Sequence, residues 1–258
     1  MSTALALPAT ARHSVTLAGR AVRKIARTPE QLIDVTLQPV IFVLLFVYVF
    51  GGAITGSRHD YLEYVLPAIL VQTVVFSSVA IGVNLNADVE KGVFDRFRSL
   101  PIPRSAPLIG AVLGDVVRYV VSCTVLTAVG FALGFRLGTN PVEGLLALVV
   151  AVLFALSLCW VSVFLGLVLR TAGSVQGVMF LVMFPLTFGS NAFVQADTLP
   201  GWLQSWTRVN PVTHLVDAVR GLTTGGAVAE PLLVSAAWAV GLVVVFLPLA
   251  TRAYRRKA

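Results

Sequence analysis

The sequence predicts an all-α integral membrane protein with six transmembrane helices, and three observations carry that prediction. Of 258 residues, 57% are hydrophobic and only 12% charged, with a mean hydropathy of +0.88, whereas a soluble domain is about one-quarter charged. Six stretches reach the length of about 20 apolar residues that a helix needs to cross a bilayer. The 19 Lys+Arg against 12 Asp+Glu, a formal charge of +7, are placed very unevenly along the chain. In a soluble protein that excess would point to nucleic acid, but here its placement answers to membrane topology, and no nucleic-acid partner is called for.

Taken in order, the chain starts Ala-rich, with its first basic residue at Arg12, which does not read as a secretory signal. Over residues 15–27 a helical wheel gathers Val15, Ala18, Val22 and Ile25 on one side and Arg20, Arg23, Lys24 and Arg27 on the other. That pattern predicts an amphipathic interfacial helix whose basic face meets anionic lipid or a cytoplasmic partner. Pro29 suits only the first turn of a new helix, so a break is expected there. The spans then fall at about residues 35–53, 64–83, 107–135, 144–169, 174–194 and 231–251. No soluble domain fits between them, and a single transmembrane domain fills residues 1–258. Cys123 and Cys159 both lie in apolar runs, where cysteine behaves as a small hydrophobe; neither a disulfide framework nor a metal site is expected.

Orientation follows from the flanking basic residues, because cytoplasmic segments carry an excess of Lys and Arg. One face holds fourteen, distributed over the N-terminal segment, the loop around Lys91 to Arg104, Arg170 and the tail from Arg252. The opposite face holds Arg58, Arg136, Arg208 and Arg220, with Arg118 inside a span. Both termini are therefore expected in the cytoplasm, in a multi-pass protein of the plasma membrane.

The loop over residues 84–106 is long, charged and patterned. Val89, Val93, Phe97 and Leu100 recur at spacings of four, four and three, while Asp88, Lys91, Asp95 and Arg98 share the other face. The spacing predicts a short amphipathic helix over 88–100, ended by Pro101, and either a solvated connection or a docking surface. Its E-K-G-x-x-D-R-F-R-S-L-P-I-x-R-S run, Glu90 to Ser105, resembles the cytoplasmic loop between spans two and three of type 2 ABC exporter permeases, especially the daunorubicin-resistance group. A second run, N-P-V-T-H-L-V-D-A-V-R-G from Asn210 to Gly221, preceded by L-P-G-W-L-Q, is similar to that family's signature between spans five and six.

The resemblance implies a permease subunit of an ATP-driven exporter, working as a dimer, most simply a homodimer in a four-subunit complex with ABC ATPase subunits that bind ATP and Mg. The chain itself has no G-x-x-x-x-G-K-[ST] phosphate loop. By position, Glu90, Gly92, Asp95, Arg96 and Arg98 would contact the ATPase as a coupling helix, with Val93, Phe94 and Phe97 as packing knobs. Val93 stands where many relatives carry Thr. The resemblance also implies short re-entrant helices on the external side, whereas the residues alone leave an interfacial helix equally open.

Asp115 and Arg118 are three apart on the third span, a spacing for an ion pair on one helix face. Being near the cytoplasmic end, the pair reads as structural or as coupled to the loop rather than as a cargo contact. Between spans five and six, Trp202 and Trp206 are spaced for rings at the membrane interface, and Asn210 with Pro211 opens a helix striped by Val212, Leu215, Val216, Val219 and Leu222. His214, Asp217 and Arg220 on it read as a satisfied polar cluster.

Three classes of function compete. Long uncharged spans favour export of a hydrophobic or amphipathic cargo, a drug, antibiotic or lipid-like molecule, with polysaccharide or glycolipid export as the alternative. An intramembrane enzyme would pair Ser190 with His214, which sits in an external segment. A proton-coupled transporter needs several inward carboxylates, of which Asp115 alone qualifies.

Overall fold

The computed structural model describes residues 29–54, 56–91 and 106–257. The predicted interfacial helix at 15–27 and most of the predicted coupling helix at 88–100 lie outside the described residues.

Every described element is helical. Helix α1, Pro29–Leu45, opens on Pro29, whose fixed φ and missing N–H suit a first turn, and passes through a π-helical turn, Phe46–Phe50, into α2, Gly51–Ile54. Ser57 caps α3, Arg58–Ser77, by accepting from the Asp60 N–H, and through Ser78, whose backbone stays helical, the chain continues as α4, Val79–Glu90. There follow α5, Ala106–Ala132; α6, Pro141–Val168, capped by Asn140; α7, Ala172–Phe188, capped by Thr171; α8, Gly201–Thr207; α9, Pro211–Thr224; and α10, Ala229–Lys257.

Among the described residues, five segments are long and apolar enough to cross a membrane: Leu37–Ile54, Arg58–Glu90, Gly114–Ala132, Pro141–Val168 and Ala229–Tyr254. The bounds of the expected fifth span, 174–194, are corrected: its helix is the 17 residues of α7, and 189–194 is a run of turns in which Ser190 to Phe193 are buried. The second span is corrected in the other direction. Its helix begins at Arg58 and ends at Glu90, so Asp88, Val89 and Glu90 form its last turn, with Lys91 as cap, rather than the start of a separate helix.

The α3–α4 segment is the axis of the bundle: of an 18-residue apolar stretch within it 83% is buried inside the protein, against 6% of such a stretch within Ala229–Tyr254 in α10. Around it pack α1, α5, α6, α7 and α9. Close approach depends on glycine: a Cβ on Gly166 of α6 would come within 2.5 Å of the Gly82 carbonyl, and one on Gly82 would collide with the Ser162 carbonyl. Beside that crossing, Asn86 Nδ2 donates to the carbonyls of Gly166 and Leu169, both at 2.9 Å. These bonds bring the Glu90 end of α4 to the Leu169–Thr171 turn. At the opposite end gather the start of α3, the segment after α5, the turns after α7, and α9.

Candidate functional site

Helix α9 is built for burial. Asn210 accepts from the Val212 N–H at 2.9 Å while its amide donates to the Leu186 carbonyl at 2.7 Å, pinning the helix start to the end of α7. The stripe Val212, Leu215, Val216, Val219 and Leu222 is no more than 4% exposed, sunk among α3, α6, α7 and α10.

On the α9 face toward α3 lies a charged cluster. Arg220 Nη1 is 3.1 Å from Asp217 Oδ1, and Asn191 Nδ2 donates to the same oxygen at 2.6 Å. The Arg220 guanidinium sits over the Tyr64 ring and donates to the carbonyls of Tyr64 and Asn191, while the Tyr64 hydroxyl donates to the Asn191 carbonyl at 2.6 Å. Sequence reasoning singled out Asn210, Pro211, Asp217 and Arg220 but missed Asn191 and Tyr64, the latter's partners lying more than 120 residues away. His214 Nε2 meets the Arg208 carbonyl at 2.9 Å, and Ser190 donates to the Thr187 carbonyl; no hydrogen bond joins Ser190 and His214 among the described residues.

The second charged group is inside the bundle. On α5, Arg118 Nη2 is 3.3 Å from Asp115 Oδ1, with both side chains at most 10% exposed, and it also donates to the Ser77 carbonyl at 3.2 Å. One turn on, the Tyr119 hydroxyl and the Cys159 thiol share a buried hydrogen bond at 3.0 Å. Both cysteines are buried and unpaired.

Arg118 forms part of the wall of a cleft of about 280 Å³ between α1, α3 and α7. Phe42, Phe76, Phe180, Phe184 and Phe188 supply its aromatic surface, and Gln38, Gln72, Thr73 and Ser77 are the other polar residues that line it. The rings continue beyond it: Phe188 stacks on Phe193 at 5.1 Å, Phe193 on Phe46 at 4.6 Å, and Phe46 on Phe42 at 5.9 Å. Phe180, Phe184 and Phe188 recur every four residues, a stripe the sequence displayed, but only the fold aims it at α3.

Of the predicted coupling residues, Glu90 ends α4; Gly92, Val93, Phe94, Asp95, Arg96, Phe97 and Arg98 lie outside the described residues.

Five segments long and apolar enough to cross a membrane, among the described residues, and an aromatic cleft do not by themselves name a family; comparison with known proteins does. A family model described as ABC-2 type transporter matches residues 13–223. The chain belongs to the ABC-2 type transporter family. It is 43% identical over 242 residues, 92% of this chain and 84% of the relative, to a daunorubicin resistance ABC transporter permease protein, DrrB1, of Streptomyces coeruleorubidus. To a probable doxorubicin resistance ABC transporter permease protein, DrrC, of Mycobacterium tuberculosis H37Rv it is 28% identical, over 92% of this chain and 86% of that one. An inner membrane transport permease, YadH, of Escherichia coli K12 is 23% identical over 77% of this chain and 78% of its own. This ABC-2 chain is therefore a multi-pass membrane permease, like the transport permeases it matches.

Proposed function

We propose that this ABC-2 permease exports a hydrophobic or amphipathic aromatic compound of the drug or antibiotic class, driven by ATP bound to a separate ABC ATPase. The observation that carries the reading is the aromatic cleft between α1, α3 and α7, reached through helices whose outer faces are apolar. Phenyl rings offer a planar drug stacking surface and offer a glycan few hydrogen bonds, which favours the drug over the polysaccharide alternative.

A homodimer fits the same surface. Leu37, Ile41 and Leu45 of α1 and Leu181 and Phe184 of α7 are exposed beside the cleft, so a second copy packed there would close it. In this reading α7 is the fifth of six spans: 17 residues rise about 25 Å, and local thinning of the bilayer meets the shortfall. Both termini and the Glu90 to Arg104 loop are cytoplasmic, and α9 is an external re-entrant helix, a reading its burial supports. The coupling role falls to Glu90 with Gly92, Val93, Phe94, Asp95, Arg96, Phe97 and Arg98, which dock into the ATPase. ATP and Mg belong to that partner.

The test uses inverted vesicles containing the permease with and without its co-expressed ATPase. ATP-dependent accumulation of a fluorescent planar drug is expected only with both, and the purified permease alone should hydrolyse no ATP. Phe97→Ala or Glu90→Lys should reduce ATPase co-purification and transport while Arg58→Ala leaves them intact; a truncated buried anchor costs about 2 kcal/mol or more. Normal assembly and transport in both coupling variants would return that loop to a solvated connection.

A further inference from the structure

Three helices are tied together through one side chain. Asn86 is 1% exposed and stands one turn before Glu90, at the end of α4 that runs into the loop beginning at Gly92. Its amide donates to the carbonyls of Gly166 and Leu169, which the ending of α6 leaves without a helical N–H. Leu169, with ψ 156°, and Thr171, with ψ 148°, are both extended, so α6 and α7 are joined by a short non-helical link. Links of this kind are where one helix turns on another. The bond from Asn86 to Leu169 lies on the link itself. Deeper in the bundle the same α4 and α6 touch backbone to backbone, at Gly82, Ser162 and Gly166.

Helix α7, which leaves that link, has two unlike faces. Val175, Met179 and Met183 are at most 2% exposed, and Met179 Sδ accepts from the Ser162 hydroxyl of α6 at 3.6 Å. Phe180, Phe184 and Phe188 form the other face and line the aromatic cleft. We propose that Asn86 is a positioning residue for export: it locks the α6–α7 link to the end of α4, so that a displacement of α4 reaches α7 and its phenylalanines. This rests on the export reading, in which the ATPase acting on the loop supplies the displacement. Apolar packing is non-directional and lets one helix slide or rotate against another. Two hydrogen bonds to fixed carbonyls, in an apolar surround that strengthens them, resist both motions. Helix α7 then moves with α4 against α1, another wall of the cleft, and the cleft changes width.

Asn86→Leu is close in shape and donates no hydrogen bond, whereas Asn86→Gln keeps the donor amide on a longer arm. Each is compared with the unaltered permease, co-expressed with its ATPase, for ATPase co-purification, ATP hydrolysis and accumulation of the fluorescent planar drug in inverted vesicles. In Asn86→Leu, assembly and hydrolysis should persist while drug accumulated per ATP hydrolysed falls about tenfold, and Asn86→Gln should recover part of that ratio. A residue that only stabilises the fold would lower all three measures together and leave the ratio unchanged, which would overturn the proposal. The joint is also read without a substitution at 86. With Cys123 and Cys159 replaced, spin labels are placed at positions 91, 173 and 37, where Lys91 and Leu37 are exposed and Gly173 has open space. On trapping the complex with ATP and vanadate, the 91 to 173 distance should stay constant and the 37 to 173 distance should shift. A 91 to 173 distance that changes would overturn the joint. An unaltered complex that assembles and hydrolyses ATP but accumulates no drug fails the export reading instead, and the label distances still decide the joint.

Discussion

The guanidinium of Arg220 lies 3.9 Å from the centroid of the Tyr64 ring, joining α9 to the start of α3 across 156 residues of sequence. The contact is a stacked cation that also donates to two carbonyls and a carboxylate, a combination lysine cannot reproduce. Arg220→Lys should therefore destabilise the permease by about 1 to 2 kcal/mol, and Tyr64→Phe, which keeps the ring and loses only the bond to Asn191, by about 1 kcal/mol or less. Thermal unfolding in detergent, followed by size-exclusion fluorescence, orders the two; equal losses would show that the ring stack contributes nothing.

The crossing of α4 and α6 supplies a sharper contrast. Gly166→Ala places a methyl group against the Gly82 backbone, which cannot move aside as a flexible side chain would. Little folded protein should be recovered. Gly173 and Gly177 on α7 have open space around the same position, and alanine there should be neutral or stabilising by up to about 1 kcal/mol, the ordinary helix preference. Monodisperse yield of the three variants checks this, and equal yields would refute the close-packed crossing.

Topology can be read directly. Cys123 and Cys159 are buried, so a background with both replaced admits single reporter cysteines. Positions 91 and 255 should resist an impermeant thiol reagent in intact cells, and positions 58 and 202 should react. Labelling at 91 before permeabilisation would invert the orientation that the basic residues prescribe.

Hydropathy made the long helices legible in the sequence, and Asn210 with Pro211 marked the start of α9. Ser57, Asn140 and Thr171 each accept from a backbone N–H at a helix start that hydropathy placed only roughly. The stripe on α9 was equally readable, because a period of 3.6 is local information. Two boundaries were not. Asn84 and Asn86 look like the start of a polar loop, but Asn86 is buried because α6 offers it two carbonyls, and that compensation is tertiary. Likewise the run 189–194 is apolar enough to prolong a span, yet the chain turns there, with Asn191 held by Tyr64 and Asp217. The site was the least legible part, since Gln72 reads as one polar residue in an apolar span until the fold brings Arg118 and five phenylalanines to the same cleft.

The pair Asp115 and Arg118 separates the cost of a lone buried charge from that of a lost ion pair. Each charge is buried, so removing one leaves the other uncompensated: Asp115→Leu alone should cost about 3 to 5 kcal/mol. The double variant Asp115→Leu/Arg118→Met removes both charges and fills similar volume, a change that is often neutral or stabilising in other proteins. It should therefore recover the unfolding temperature that the single variant loses. Thermal unfolding in detergent of the two variants beside the unaltered protein checks this. A double variant that stays as unstable as Asp115→Leu would show that Arg118 is held by more than its carboxylate partner, with the Ser77 carbonyl the first candidate.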